Sequence, residues 1–145
     1  MYSHILIPTD GSELAERAVE RGLGLARKLG ARVTLIRVVQ PLQPPAGESV
    51  QLRATLQEYE RAEHTQIEQW MSEAAERAKG SGLACEAVTA VSVLPHEAIV
   101  KAAVERGCDL IVIASHGRSG LSALLLGSVT QKVLTHSELP VLVYR

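Results

Sequence analysis

The 145-residue sequence contains no phenylalanine, and aromatic residues make up only 3% of it. Proteins that hold single-stranded nucleic acid stack bases on aromatic faces, so this scarcity argues against that class. Charge of one sign is also missing: 15 Lys and Arg against 16 Asp and Glu leave a formal net charge of −1. Such a balance gives no global basic field to recruit nucleic acid or anionic lipid. No apolar run approaches the roughly 18 residues of a membrane span. The opening MYSHILIPTD has no basic segment and no small-residue cleavage site, so no signal peptide is expected and the cytoplasm is the expected location. The only two cysteines, Cys85 and Cys108, lack a CxxC or Cys/His grouping and are expected in the core.

Several catalytic and nucleotide motifs are absent too. No GxxxxGK[ST] occurs, which excludes a Walker-type phosphate loop. Gly22-Leu23-Gly24 lies inside a helical pattern, not at a strand-to-helix turn, so it is no dinucleotide fingerprint. Gly117-Arg118-Ser119-Gly120 fails as a nucleophile elbow because Leu121 stands where the last glycine belongs. His4, His64, His96 and His136 show no metal-ligand spacing and are expected to be surface or satisfied histidines.

What remains is a regular alternation. An apolar run from His4 to Ile7, stopped by Pro8, suits a strand buried on both faces. Asp10 or Ser12 can cap the helix that follows, with Leu14, Ala18, Leu25 and Leu29 as its inner face and Gly30 at its end. Arg32 to Val39 reads as a second strand, closed by Gln40-Pro41 and a proline loop. From about Glu48 to Lys79 runs a helical stretch, one helix or two, with Leu56, Tyr59, Ile67, Trp70, Met71, Ala74 and Ala78 on one stripe. Ala84 to Val93 is a third strand, apolar at Ala87, Val88 and Val91. Pro95 then opens a helix whose inner face is Ile99, Ala102, Ala103 and Val104, closed by Gly107. Leu110 to Ala114 is the fourth strand, Val129 to Thr135 the last helix, and VLVYR after Pro140 the last strand.

Strands and helices in strict alternation predict a single α/β domain: an open five-stranded parallel sheet with helices on both faces. Ligands of such sheets bind outside the carboxyl ends of the strands, where the strand order switches. Three segments converge there: Pro8-Thr9-Asp10, Val38-Val39 and Ala114-Ser115-His116-Gly117. After Gly117 and nine intervening residues come Gly127, Ser128 and Thr130 at a fresh helix start, the chemistry of an anion cradle. Ser115 and His116 are neighbours at an extended strand end, which should point them apart and excludes a catalytic dyad; His116 is expected to order the loop or face the phosphates. Leu124-Leu125-Leu126 is expected to pack beneath the loop.

The strand–PTDGS start, strand–ASHGRSG, the GSVTQKVL helix and the PVLVYR end together resemble the universal stress protein family along nearly the whole chain. The resemblance implies a Rossmann-like fold of the adenine nucleotide alpha hydrolase-like kind. Its most specific part is the G-x2-G-x9-G-[S/T] pattern of the ATP-binding branch, present here with Ala114 in place of the first glycine. That methyl group matters only if the backbone needs positive φ or touches the ligand. Carried over, the resemblance puts adenine and ribose near Pro8, Thr9, Asp10, Val38, Ile113 and Ala114. It puts phosphates against Gly117, Arg118, Gly127, Ser128, Val129 and Thr130, with His116 alongside. The hydroxyls of Ser128 and Thr130 can donate to phosphate oxygens, Gly127 can let the backbone approach, and Asp10 can support Mg2+ held by the phosphates. No metal site apart from the nucleotide is expected. The family also implies a homodimer through the last strand, residues 140–145.

The expected function is therefore an ATP-binding regulatory protein of the stress response. Nucleotide would alter the loop between Gly117 and Gly127 and the surface shown to a protein partner whose identity the sequence does not give. No catalytic residue is expected, and at most slow ATP hydrolysis by positioning. The alternatives are a dimeric stress-associated interaction protein without nucleotide, or an ATP-cleaving hydrolase or adenylyl transferase, which would need a phosphate loop of SGGxDS type that is absent.

Overall fold

The computed structural model describes residues 1–118 and 125–145. Five strands and four helices alternate: β1 (His4–Pro8), α1 (Glu13–Leu29), β2 (Arg32–Val39), α2 (Val50–Gly80), β3 (Cys85–Val91), α3 (Pro95–Glu105), β4 (Leu110–Ala114), α4 (Ser128–His136) and β5 (Val141–Tyr144). All strand pairs are parallel, in the order β3-β2-β1-β4-β5. The chain winds outward from β1 to β3, then returns to the other side of β1 with β4. The switch in strand order therefore falls between β1 and β4, and a crevice opens above their carboxyl ends.

Alternating side chains of the central strands build two cores. Ile5, Ile7, Val33, Leu35 and Val112 face α1 and α2, while Leu6, Ile36, Ile111 and Ile113 face α3 and α4. Both faces of β1 and β4 are covered, which explains their uninterrupted apolar sequences. Burying an aliphatic side chain of this size stabilises the fold by roughly 1.5–3 kcal/mol.

The seam of α1 lies one position away from the expected leucine stripe. Ala15, Ala18, Val19, Gly22 and Ala26 are the buried residues, and Leu29 is exposed. Small residues bring this helix close to the sheet: a Cβ on Gly22 would lie 2.5 Å from Ile7 Cδ1. Ser12, not Asp10, caps α1 by accepting from the Ala15 N–H at 3.3 Å. Gly30, in the left-handed conformation at φ 67°, ends it as expected.

The long helical stretch is one helix, but only its final turns are buried, at Met71, Ala74, Ala75 and Ala78. Tyr59, expected on the inner stripe, is 63% exposed. Length accounts for this. A helix of 31 residues spans roughly 46 Å at 1.5 Å per residue. The eight residues of β2 span roughly 26 Å, so the first half of α2 overhangs the sheet. Two smaller departures follow similar logic. Val104 is exposed because it stands five residues beyond Ile99, off the face that Ala102 and Ala103 share. Val91 is exposed at the end of edge strand β3.

Cys85 and Cys108 are buried free thiols, each pushed up to about 11 by burial. Among the described residues no helix is long and apolar enough to cross a membrane.

Candidate functional site

A cavity of about 340 Å3 opens at the switch point, above the carboxyl ends of β1, β2 and β4. That volume is in the range of small-molecule sites, roughly 300–1,000 Å3. The structure brings all thirteen expected residues to its wall. Pro8, Thr9 and Asp10 come from the end of β1 and Val38 from β2. Ile113, Ala114, His116, Gly117 and Arg118 come from β4 and its loop, and Gly127, Ser128, Val129 and Thr130 from the start of α4. Four further residues complete the lining: Ala15, Ile36, Gln40 and Ile99. Ile36 could have been read from register, since it stands opposite Pro8 across the β1–β2 ladder. Ile99 and Ala15 reach the cavity from helices, and no local motif marks them.

One half of the wall is apolar, from Pro8, Ile36, Val38, Ile99 and Ile113; the other half is the amino end of α4. Gly127 occupies the cap position and supplies no side-chain acceptor. The first intrahelical bond runs from the Gln131 N–H to the Gly127 carbonyl at 3.0 Å. The N–H groups of Ser128, Val129 and Thr130 thus have no partner among the described residues and are available to an anion.

The glycine reasoning needs one correction. Gly127 has an ordinary φ of −61°, and a Cβ there would lie 3.1 Å from His116 Cα and 3.3 Å from the Ser115 carbonyl oxygen. The residue therefore lets α4 dock on the β4 loop, secured by its own N–H to Ser115 O at 2.7 Å. Thr130 is corrected as well. Its hydroxyl is buried and donates to the Ala114 carbonyl at 2.7 Å, so it is not free to donate to a phosphate; its backbone N–H is. Ser128 is exposed and keeps its hydroxyl open.

Asp10 joins the two loops that frame the cavity. Its Oδ1 accepts from the Ser12 N–H at 3.0 Å and its Oδ2 from the Arg118 N–H at 2.9 Å. Burial pushes this carboxyl up, but the hydrogen bonds from Ser12 and Arg118 and the charge of Arg37 outweigh it and hold it below its usual range. Gly117 packs on the same carboxylate, in space that a side chain would occupy. Ala114 adopts no positive φ; its methyl group packs with Ala15 and Ala18 beneath Leu14 and Tyr144.

Ser115 and His116 do not point apart as expected: Ser115 Oγ and His116 Nδ1 lie 3.1 Å apart. They sit just beyond β4, where strand alternation no longer applies. Leu125 is exposed rather than packed under the loop. Leu124, and with it most of the loop expected to respond to nucleotide, lies outside the described residues, as do Ser119 and Gly120. Among the described residues no three His, Cys, Asp or Glu side chains are grouped to hold a metal.

The profile of the universal stress protein family matches residues 1–145. The chain belongs to that family. It is 32% identical over 145 residues to the universal stress protein in the QAH/OAS sulfhydrylase 3'region of Thermus aquaticus, with both chains covered in full. It is 31% identical over 156 residues to universal stress protein MJ0577 of Methanocaldococcus jannaschii, covering 100% of this chain and 96% of that one. A solved structure of MJ0577 superposes with a TM-score of 0.80 at 32% identity over 99% of this chain and 95% of that one. A universal stress protein solved in complex with cAMP superposes with a TM-score of 0.71 at 28% identity, covering 99% of this chain and 97% of the other. The five-stranded parallel sheet is thus the family's Rossmann-like fold.

Proposed function

We propose that the protein binds ATP at the strand-end cavity and acts as a nucleotide-dependent regulatory protein of the stress response. One observation carries this reading: an apolar cavity ends against three uncapped N–H groups of α4, so a flat apolar base and an anionic tail each meet a matching surface. The relative in complex with cAMP supports an adenine nucleotide as the class of ligand.

The residues present fit that ligand. Pro8, Ile36, Val38 and Ile113 would hold the base by apolar contact, while the amino end of α4, Ser128 Oγ and Arg118 would hold phosphate. Asp10, kept ionised, retains lone pairs beyond its two hydrogen bonds and fits as a carboxylate ligand to Mg2+. Mg2+ held there would neutralise phosphate charge. Asp10 also accepts from the Arg118 backbone N–H, so the carboxylate beside the phosphates is tied to the segment that follows β4. This arrangement suits a switch more than a catalyst. An ATP-dependent regulator works where ATP is made, and we assign it to the cytoplasm.

Denaturing freshly purified protein and chromatographing what is released should yield adenine nucleotide. Protein that is empty, and that calorimetry shows to bind neither ATP nor cAMP, would sink the proposal.

We also infer a homodimer through residues 140–145. β5 is an edge strand with Leu142 exposed, and edge strands are commonly protected by pairing. Light scattering at micromolar concentration should give twice the chain mass, and Leu142→Lys should shift it toward monomer; a monomeric parent removes the interface.

A further inference from the structure

A second cavity, of about 320 Å3, lies on the α2 side of the β1–α1 loop. Arg118 lines both this cavity and the strand-end site, so the two share a wall. Its most unusual residue is Arg37, near the end of β2 on the face that α2 covers. Arg37 is only 8% exposed, and among the described residues its guanidinium forms no hydrogen bond or ion pair. It packs against the β1–α1 turn: a Cβ on Gly11 would lie 2.5 Å from Arg37 Nη1.

The Arg37 side chain is largely buried but its guanidinium lines the cavity, so its donors stay open to whatever fills that space, and Arg118 adds a like charge beside it. Burial and Arg118 both push the Arg37 group down from its usual range, while Asp10 and Glu63 oppose them. Glu16 and Glu63 line the same cavity, yet neither comes within ion-pairing distance of Arg37. These carboxylates temper the field without occupying the guanidinium donors, which face the cavity. A planar fork of N–H donors, facing a cavity with a second arginine on its wall, matches the oxygens of a phosphoryl group.

We propose that the Arg37–Arg118 cavity is an anion subsite that takes a phosphoryl group, separate from the amino end of α4. Two sources share this chemistry. One is the distal phosphoryl group of a nucleotide in the neighbouring cavity, a case that rests on the nucleotide reading above. The other is a free phosphate ion, which does not.

Trp70 lines the subsite and is the only tryptophan in the chain, so its fluorescence reports occupancy directly. Sodium phosphate, titrated into the full chain at constant ionic strength, should shift Trp70 emission saturably. Arg37→Gln should weaken that response by about tenfold or more, the scale of a lost charged bidentate contact. Glu63→Gln, on the cavity wall near the middle of α2, removes an opposing charge and should tighten phosphate binding; it keeps the test decisive if Arg37→Gln does not fold. Calorimetry with ATP and AMP separates the sources. For a distal phosphoryl group, Arg37→Gln weakens ATP but not AMP, and bound ATP abolishes the phosphate response. For a free ion, Arg37→Gln leaves both nucleotides unchanged and phosphate still shifts Trp70 in the presence of ATP. The subsite is overturned if phosphate leaves Trp70 unmoved in both the parent and Glu63→Gln and Arg37→Gln does not alter the ratio of ATP to AMP affinity. A phosphate response in protein that binds neither ATP nor AMP would instead retain the subsite and discard the nucleotide reading.

Discussion

The two ends of the sheet treat their polar groups in opposite ways. At the amino ends of the strands, polar groups close on one another. Asp109 accepts from Ser3 N–H, Ser3 Oγ and His4 N–H at 2.8, 2.7 and 3.0 Å. His4 Nε2 meets Thr34 Oγ1 at 2.8 Å, Thr34 donates to Glu86, and Arg106 donates to the same Glu86 oxygen at 2.7 Å. Burial holds His4 below its usual range, with Arg32 adding to the effect, and its Nδ1 is the one group of this network left buried without a partner among the described residues. At the carboxyl ends, the first-turn N–H groups of α4, Ser128 Oγ and the Arg37 guanidinium are left without partners among the described residues. Saturated polarity stabilises a fold; unsaturated polarity at a switch point waits for a ligand.

The largest effect should come from closing the open end. Gly127→Val places a side chain against the backbone of His116 and Ser115, which cannot yield as a flexible side chain would. The amino end of α4 must then move off the β4 loop. Nucleotide affinity should fall by about a hundredfold, the loss of two or three charge-assisted hydrogen bonds, with the sheet still intact by circular dichroism. Retained affinity would mean that the cradle is elsewhere.

A smaller effect tests the closed end. Asp109→Ala removes three hydrogen bonds that tie the first residues of β1 to β4, and should cost about 1–2 kcal/mol in urea unfolding, discounted for its partial exposure. Nucleotide affinity should not change. The effect also carries a pH signature. Burial raises the Asp109 carboxyl, but the hydrogen bonds from Ser3 and His4 together outweigh it and hold the group below its usual range when folded. A depressed folded pKa gives stability that is full above the unfolded value of about 3.9 and is lost as pH falls through the folded value. The gap between parent and variant should therefore be widest near neutrality and shrink in acid.

These two ends were not equally legible in the sequence. Periodicity showed the order of elements, because burial on both faces writes itself as uninterrupted runs such as Leu110 to Ala114. The thirteen expected residues that line the cavity were named through the family resemblance, and that resemblance was legible because it rests on local signals, strand ends and glycine spacing. What stayed hidden was contact across the fold. Nothing near Gly127 announces that its missing side chain makes room for His116, and nothing near Thr130 shows that its hydroxyl is committed to Ala114. The α1 seam was misplaced because leucines were weighed above alanines, whereas Gly22 and its small neighbours set the distance to Ile7. Arg37 was invisible for the opposite reason: in a strand sequence an arginine reads as an exposed alternate residue, and only the overlying α2 buries it.

The smallest predicted effect concerns the residue where the chain departs from the family's glycine pattern. Ala114 is 6% exposed, lies in β4 with no positive φ, and buries its methyl group against Ala15 and Ala18 under Tyr144. Its carbonyl, not its side chain, is what the start of α4 uses, through Thr130. Ala114→Gly should therefore leave nucleotide affinity within about threefold of the parent. It should lower stability by about 1–1.5 kcal/mol, from one buried methyl group and the greater freedom of glycine in the unfolded chain. Calorimetry and urea unfolding of the same preparations measure both. Should affinity instead rise tenfold or more, the methyl group obstructs the ligand, and the carboxyl end of the sheet is partly closed by this chain's own sequence.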